Sequence, residues 1–292
     1  MSLTHLRTFV EVHRRASISE AARVLGLTQP AVSGHVAALE AQLGRPLFHR
    51  HARGVVPTAV ADDLAASIGR SLDQAEAALA TVRARSVKLS GVIHLAGPAE
   101  YLGSRIAPMM PLLTEAGLEV RIQTGNKKNL YDLLLSDAVD LAVTASNPDD
   151  PRLDSKVIGT EALIAVTLPS MAHIGTDAPL LSYDLDLPLI RLWAATNGAA
   201  INERGPAVTV PDLRVLRSLV LSGAGWTVLP DYLCQTDIDT GLLAEIPAPR
   251  ARPENDLRLV WAKGALRHPR IAYTRDLLLD ALCQQRVSQE RA

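Results

Sequence analysis

Residues 3–43 hold three short segments whose apolar residues recur at helical spacing around a single glycine turn, and few folds accept that arrangement. Leu3, Leu6, Phe9 and Val10 make one face of a first helix, from Leu3 to about Arg14. Ser17 or Ser19 suits the N-cap of a second, Glu20 to Leu25, with Ala21, Ala22, Val24 and Leu25 turned inward. Gly26-Leu27 makes the turn. Thr28 is an N-cap for a third helix, and Pro30 falls in its first turn, where a missing N–H costs nothing. That helix runs to Leu43 and stops at Gly44. Its Val32, Val36, Leu39 and Leu43 are spaced 4, 3 and 4, a single core-facing stripe.

Such a triplet fits a helix-turn-helix, whose last helix enters the major groove of DNA with its N-terminal end. An ordinary three-helix bundle is the competing reading. In the first reading Gln29, Pro30, Ser33 and Gly34 face the bases. Gln can bond adenine through both amide atoms, and Ser can donate or accept. Pro46–Pro57 follows as a hairpin-like wing carrying Arg50, Arg53 and Gly54, which puts cations near phosphates. Charge supports a polyanion partner. Residues 1–58 hold seven arginines against three glutamates, net +4, in a chain whose total is −1.

From Thr58 to about Val87 the chain has no proline and one glycine. Ala61, Ala65, Ile68, Leu72, Ala75, Leu79 and Val82 alternate spacings of 4 and 3, a heptad seam of about three repeats. A narrow apolar stripe of this length needs a partner. A second copy of the same helix is the simplest, and the body of the same chain is the alternative.

These residues together resemble the LysR-type transcriptional regulators. The resemblance is carried by Leu6, Phe9, Val12, Ser19, Ala21, Ala22 and Leu25, then Thr28-Gln29-Pro30-Ala31-Val32-Ser33. It continues with Leu39-Glu40, Leu43-Gly44, Leu47-Phe48, Arg50 and Pro57-Thr58. It implies a winged helix-turn-helix at 1–58, a linker and dimerisation helix at 59–89, and an effector-binding domain at 90–292. It also implies a homodimer assembling into a homotetramer, with double-stranded DNA, a small-molecule effector and RNA polymerase as partners. The residues expected at DNA are Arg23, Thr28, Gln29, Pro30, Ser33, Gly34, His35, Arg50 and Arg53. The sequence departs from the family where a longer polar side chain, then often Gln, follows the serine; here Gly34-His35 stands. No Lys or Arg lies between Leu27 and Gly44. The reading helix therefore has a small, uncharged outer face, and specificity is expected to rely more on Gln29, Ser33, methyl contacts and DNA shape. Ala61 replaces a usual glycine and strengthens the linker helix.

The body reads as alternating strands and helices. Strands are expected at 91–97, 118–123, 140–144, 162–168, 187–192, 208–210, 227–229 and 257–261. Helices are expected at 103–114, 129–137, 196–203, 212–222, 231–236 and 269–286. That order predicts an α/β fold, a parallel sheet with helices on its faces. Two lobes, 90–161 with 263–292 and 162–262, would make a periplasmic-binding-protein-like hinge domain, as the resemblance also implies. Ligands of such folds sit at the carboxyl ends of strands. The loops there offer Ala99, Glu100, Tyr101, Thr124, Asn126, Thr144, Trp193, Asn197, Gly225 and Trp226. Helix N-termini in these loops favour a small organic anion or an amino acid.

No GxSxG elbow, GxxxxGK[ST] loop or HExxH motif occurs, so no catalytic residue, cofactor or metal site is expected, and the chain reads as a regulator rather than an enzyme. Cys234 and Cys283 lie far apart and read as buried, reduced thiols. No apolar run is long enough to span a bilayer, and Met1–His5 does not open a secretory signal, which points to the cytoplasm.

Overall fold

The computed structural model describes residues 2–51, 54–86, 88–125, 127–201, 205–248 and 250–289, with the backbone alone at 127–128 and 283–289. It divides into two compact units, Met1–Ser86 with Leu266–Pro269, and Val87–Ala265 with Arg270–Ala292.

The first unit holds α1 (Leu3–Arg15), α2 (Ile18–Leu25), α3 (Gln29–Leu43), the hairpin β1 (Phe48–His51) and β2 (Gly54–Pro57), and α4 (Ala59–Ser86). Ser17, rather than Ser19, caps α2 by accepting from Glu20 N at 3.2 Å. Gly26 and Gly44 end α2 and α3 at positive φ, the conformation glycine adopts without strain. Val32, Val36 and Leu39 point inward as the periodicity requires, whereas Leu43 is 41% exposed at the frayed end of the stripe. Two apolar clusters result. Phe9, Val10, Leu39 and Leu47 pack with Ala61 and Leu72 of α4. Val12, Ala21, Val32 and Val36 pack with Val55 of the hairpin.

Side-chain oxygens finish the corner between the hairpin and α4. Glu40 Oε1 accepts from Leu47 N at 2.7 Å and from Phe48 N at 3.1 Å. Thr58 Oγ1 accepts from Ala61 N at 3.3 Å, so it caps α4. The heptad seam is split in two. Its first half, through Leu72, is consumed by the head's own core. Its second half is open, with Leu79 56% and Val82 62% exposed.

The second unit is built on a mixed sheet of β3 (Val92–Gly97), β4 (Glu119–Thr124), β5 (Leu141–Thr144), β6 (Leu153–Thr167), β9 (Thr227–Pro230), β10 (Ala244–Ile246) and β11 (Glu254–Ala262). A short parallel pair, β7 (Leu181–Ser182) and β8 (Val208–Thr209), stands apart. Helices α5 (Ala99–Tyr101), α6 (Met110–Glu115), α7 (Lys127–Leu135), α8 (Pro188–Asn197), α9 (Leu213–Leu221), α10 (Asp231–Asp239) and α11 (Pro269–Gln289) complete it. The order is β10-β6-β11-β5-β3-β4, with β9 also on β6. Only β4, β3 and β5 are mutually parallel; β11 runs antiparallel to both β5 and β6. The expected parallel sheet is therefore mixed, because the chain crosses twice between lobes along strands instead of returning through helices.

The longer of those crossings is β6, whose 15 residues extend well before the expected start at 162. Its first part pairs with β11, and its last five residues pair with β9 and β10. Alternation along that last part feeds opposite faces of the second lobe. Leu163 and Ala165 enter one core with Trp193 and Trp226. Ile164 and Val166 enter another with Leu216 and Leu229. The β6–β11 register slips between Leu257 and Arg258, a bulge at the crossing.

Two local expectations change. Residues 187–192, expected as a strand, open α8, and the helix expected at 196–203 is over by Asn197. An apolar run this short does not separate strand from helix by pattern, and Pro188 at the first helical position decides it. The helix expected at 103–114 is irregular: π-helical at Leu102–Ile106, 3₁₀ at Ala107–Met109, and α-helical again from Met110. Pro108 and Pro111 remove the amides a regular helix needs there.

Candidate functional site

In the first unit, α3 presents its N-terminus to solvent. Thr28 Oγ1 caps it by accepting from Ala31 N at 3.4 Å. Gln29, Pro30, Gly34, Ala37 and Ala41 are exposed on one side, opposite the buried valines. Gln29 Nε2 donates to Ser19 Oγ at 2.8 Å, which orients the exposed amide. Ser19, a cap candidate from sequence, is thus the positioning partner. Ser33 is half-buried beside this face. His35 turns toward α1, its Nδ1 2.9 Å from Thr8 Oγ1, so it supports α3 instead of pointing outward. A β-carbon on Gly34 would meet nothing within 4 Å, consistent with a flat, close-approach surface. Arg50 is exposed on β1, and Arg23 is exposed but paired with Glu20 at 3.0 Å. Arg53 lies outside the described residues. A capped helix end with small, polar, uncharged side chains can approach a groove, and an exposed arginine on the hairpin can contact phosphate.

In the second unit, a cavity of about 910 Å³ opens where β3, β4 and β5 end, against the crossing strands β6 and β11. That volume suits a small molecule. Glu100 and Tyr101 reach it from the turn after β3, and Thr144 from the end of β5. Glu161 enters from β6, with Asn255 facing it across the ladder and donating to Oε1 at 3.1 Å. Tyr131 and Tyr232 close the wall from α7 and α10, and Tyr183 from the segment after β7. Tyr101 and Tyr232 meet edge-on with ring centroids 6.4 Å apart. Tyr131 is anchored by donating to Ser146 O at 2.9 Å. Burial raises the Glu161 carboxyl to about 7, the Asn255 hydrogen bond opposing and nearby Glu100 adding to the shift. Burial likewise raises Glu100 and pushes the Tyr101 phenol up to about 12. Among the described residues no three His, Cys, Asp or Glu side chains group as a metal site.

A protein-family model for the LysR substrate binding domain matches residues 87–283, and one for the bacterial regulatory helix-turn-helix protein of the lysR family matches residues 3–62. The chain belongs to the LysR family. It is a LysR-type transcriptional regulator, with a DNA-binding head and an effector-binding domain. It is 35% identical to the HTH-type transcriptional regulator AbaB of Streptomyces antibioticus, over 96% of this chain and 98% of that one. Its fold is similar to that of CrgA, a LysR-type regulator from Neisseria meningitidis, with TM-score 0.58 and 23% identity over 97% and 99% of the two chains. It is similar also to full-length LysG from Corynebacterium glutamicum with bound effector Arg, with TM-score 0.58 and 18% identity over the same shares. No described helix is long and apolar enough to cross a membrane.

In this regulator several residues expected at the effector lie elsewhere. Trp193 and Trp226 are each 2% exposed and pack edge-on in the second-lobe core, because the helix α8 turns Trp193 onto the sheet. Asn197 bonds Trp193 O, Ala251 O and the amides of Arg250 and Ala251, tying the end of α8 to the approach to β11. Gly225 lies where the backbone crosses Pro179. Thr124 and Ala99 neighbour lining residues without lining the cavity themselves. Asn126 lies outside the described residues. Glu161, Tyr183, Tyr232 and Asn255 escaped sequence reasoning because a strand-borne Glu or a loop Tyr carries no local signature. Cys234 is buried and its thiol is pushed up to about 12 by burial, then by Asp237, which makes it unreactive. The Cys283 side chain lies outside the described residues.

Glu161 also makes a stability prediction. Its folded pKa exceeds the ordinary 4.5, so between 4.5 and about 7 the folded state keeps a proton the unfolded state gives up. Stability therefore falls as pH rises through that window, by about 3 kcal/mol for this group. Glu161→Gln removes the penalty. The variant should gain that amount in urea unfolding above the window and nothing below it. Equal gains at both pH values would discard the buried-carboxyl account.

Proposed function

We propose that this regulator reads DNA directly through Gln29, Ser33 and the small outer face of α3, and holds phosphate with wing cations led by Arg50. The exposed Gln29 amide, held by Ser19 at the capped start of α3, carries this reading. Gln29→Ala should relax preference at one base pair of a selected operator. Arg50→Ala should weaken binding to every duplex and lower the salt slope by about one. If Gln29→Ala weakens all sequences equally, direct readout is wrong. If the Arg50→Ala slope is unchanged, Arg50 makes no phosphate contact.

The functional unit in this reading is a homodimer, assembling further into a homotetramer, that works in the cytoplasm as a regulator without catalysis. Its pairing surface is the open half of the α4 seam, where the large apolar side chains of Leu79 and Val82 stand exposed. Replacing both with lysine should dissociate the assembly while leaving the head folded. Sedimentation would show it, and an unchanged mass would exclude the seam.

A small molecule in the cavity modulates promoter binding or bending. That requires a difference in ligand affinity between DNA-competent and other states, of about 1–3 kcal/mol. By reciprocity, operator DNA must change ligand affinity by the same factor.

A further inference from the structure

We propose that the effector of this regulator is a cation, an amine or guanidine borne on an apolar or aromatic body, held by the Glu161 and Glu100 carboxylates within a cage of tyrosines. The proposal rests on the reading of the cavity as the effector site. Its first support is charge. Among the described lining residues seven are Asp or Glu, and none is Lys, Arg or His. An organic anion, expected from helix N-termini alone, would enter among like charges.

The second support is a pair of buried carboxylates with few donors. Glu100 is 8% exposed, lines the cavity, and accepts only from its own main-chain amide among the described residues. Glu161 is 7% exposed, and Asn255 reaches only one of its two oxygens. Carboxylates held this way are costly unless something supplies charge or donors. The Arg214 guanidinium is committed to Asp212 through two hydrogen bonds, at 3.1 and 2.7 Å.

The third support is the wall. The rings of Tyr101, Tyr131, Tyr183 and Tyr232 offer the faces and edges on which a cation and an aromatic body stack. The same surface already attracts a guanidinium, since Arg105 lies over the Tyr232 ring at 5.6 Å.

Binding then releases a proton from Glu161, whose carboxyl burial raises to about 7. The groups facing Glu161 are Glu100 and Tyr101 after β3, Asn255 on β11, and Asp231 and Tyr232 of α10. None of them is cationic. Amine binding should tighten as pH rises toward and past about 7.

The test is calorimetric titration of the full chain with phenethylamine, agmatine, 3-phenylpropionate and 2-phenylethanol. The two cations are expected to bind, more tightly at higher pH. Glu161→Gln and Glu100→Gln should each weaken them by at least about tenfold, and Glu161→Gln should also flatten the pH profile. Binding of the carboxylate or the alcohol without the amines overturns the cation assignment, and so does amine binding that survives both substitutions. Leu192→Trp, which puts a bulky side chain on the cavity wall contributed by α8, separates the two readings. If it abolishes binding of the carboxylate or alcohol, the cavity stands and only the cation fails. If amines bind this variant as before, the cavity reading fails with the proposal.

Discussion

Gly225→Ala should unfold the effector-binding domain at temperatures the natural chain tolerates. A β-carbon at this position would lie 1.9 Å from Pro179 O and 2.9 Å from Pro179 C. Both are main-chain atoms, so no rotamer relieves the clash. The φ of +151° is itself a conformation that side chains rarely adopt, worth roughly 1–3 kcal/mol of strain. The neighbours cannot yield cheaply. Trp226 N donates to Pro179 O at 2.9 Å, and Leu181 N to Trp226 O at 2.9 Å. Thr227 Oγ1 donates to Leu181 O at 2.7 Å from a buried site. Moving Pro179 breaks that ladder and opens the core around Trp193 and Trp226. The expected loss is on the order of 4 kcal/mol or more. Thermal unfolding of the full chain measures it. A near-normal transition with lost effector response would instead return Gly225 to the ligand site where sequence reasoning put it.

Glu11→Ala should be nearly as damaging to the head. Glu11 is 1% exposed in α1 and faces three guanidinium groups of its own helix: Arg7 at 3.3 Å, Arg15 at 3.4 Å and Arg14 at 3.6 Å. Asp73 and Glu76 of α4 complete the network, pairing with Arg14 and Arg7. Arg7 is buried, and burial lowers its pKa to about 10 even with Glu11 opposing the shift. Arg267 also reaches Glu11, at 3.4 Å, so removing Glu11 leaves four arginines around Asp73 and Glu76 in a poorly solvated place. The cost is about 3 kcal/mol, the range for breaking one partner out of a buried pair. Replacing Arg7 and Glu11 together with Met and Leu should cost less, because the most buried guanidinium is removed along with the carboxylate. Urea unfolding of the single and double variants checks both statements. A single variant no weaker than the double would mean the network contributes nothing.

This network has a functional side. It fastens α1 to α4, and α1 is the helix against which α3 packs. Its loss would loosen the reading helix along with the fold.

The sequence by itself determined the head. Its signals are local. Caps at Ser17 and Thr28, glycine stops at Gly26 and Gly44, and 3.6-residue periodicity each act within a few residues, so the pattern and the structure agree. The heptad seam was equally legible, but not its division into a half spent on the head's core and a half left open. That depended on how far α1 reaches along α4.

The effector domain was legible as strand–helix alternation, and its two lobes as fold logic. Tertiary structure alone decided what lines the cavity. Glu161 sits in a strand where alternation assigns a face but not what lies opposite. Only the crossing of β6 beside β11, with Glu100 and Tyr232 arriving from remote segments, places it in a tyrosine cage. The tryptophans show the converse. As large aromatics near loops they suit a ligand wall, yet the turn of α8 put their area to use in the core, where burying it stabilises the lobe. Short-range caps and periodicity were enough for the DNA-reading helix. Cavity chemistry is set by residues up to 159 positions apart, from Pro98 to Leu257, and no local pattern encodes their meeting.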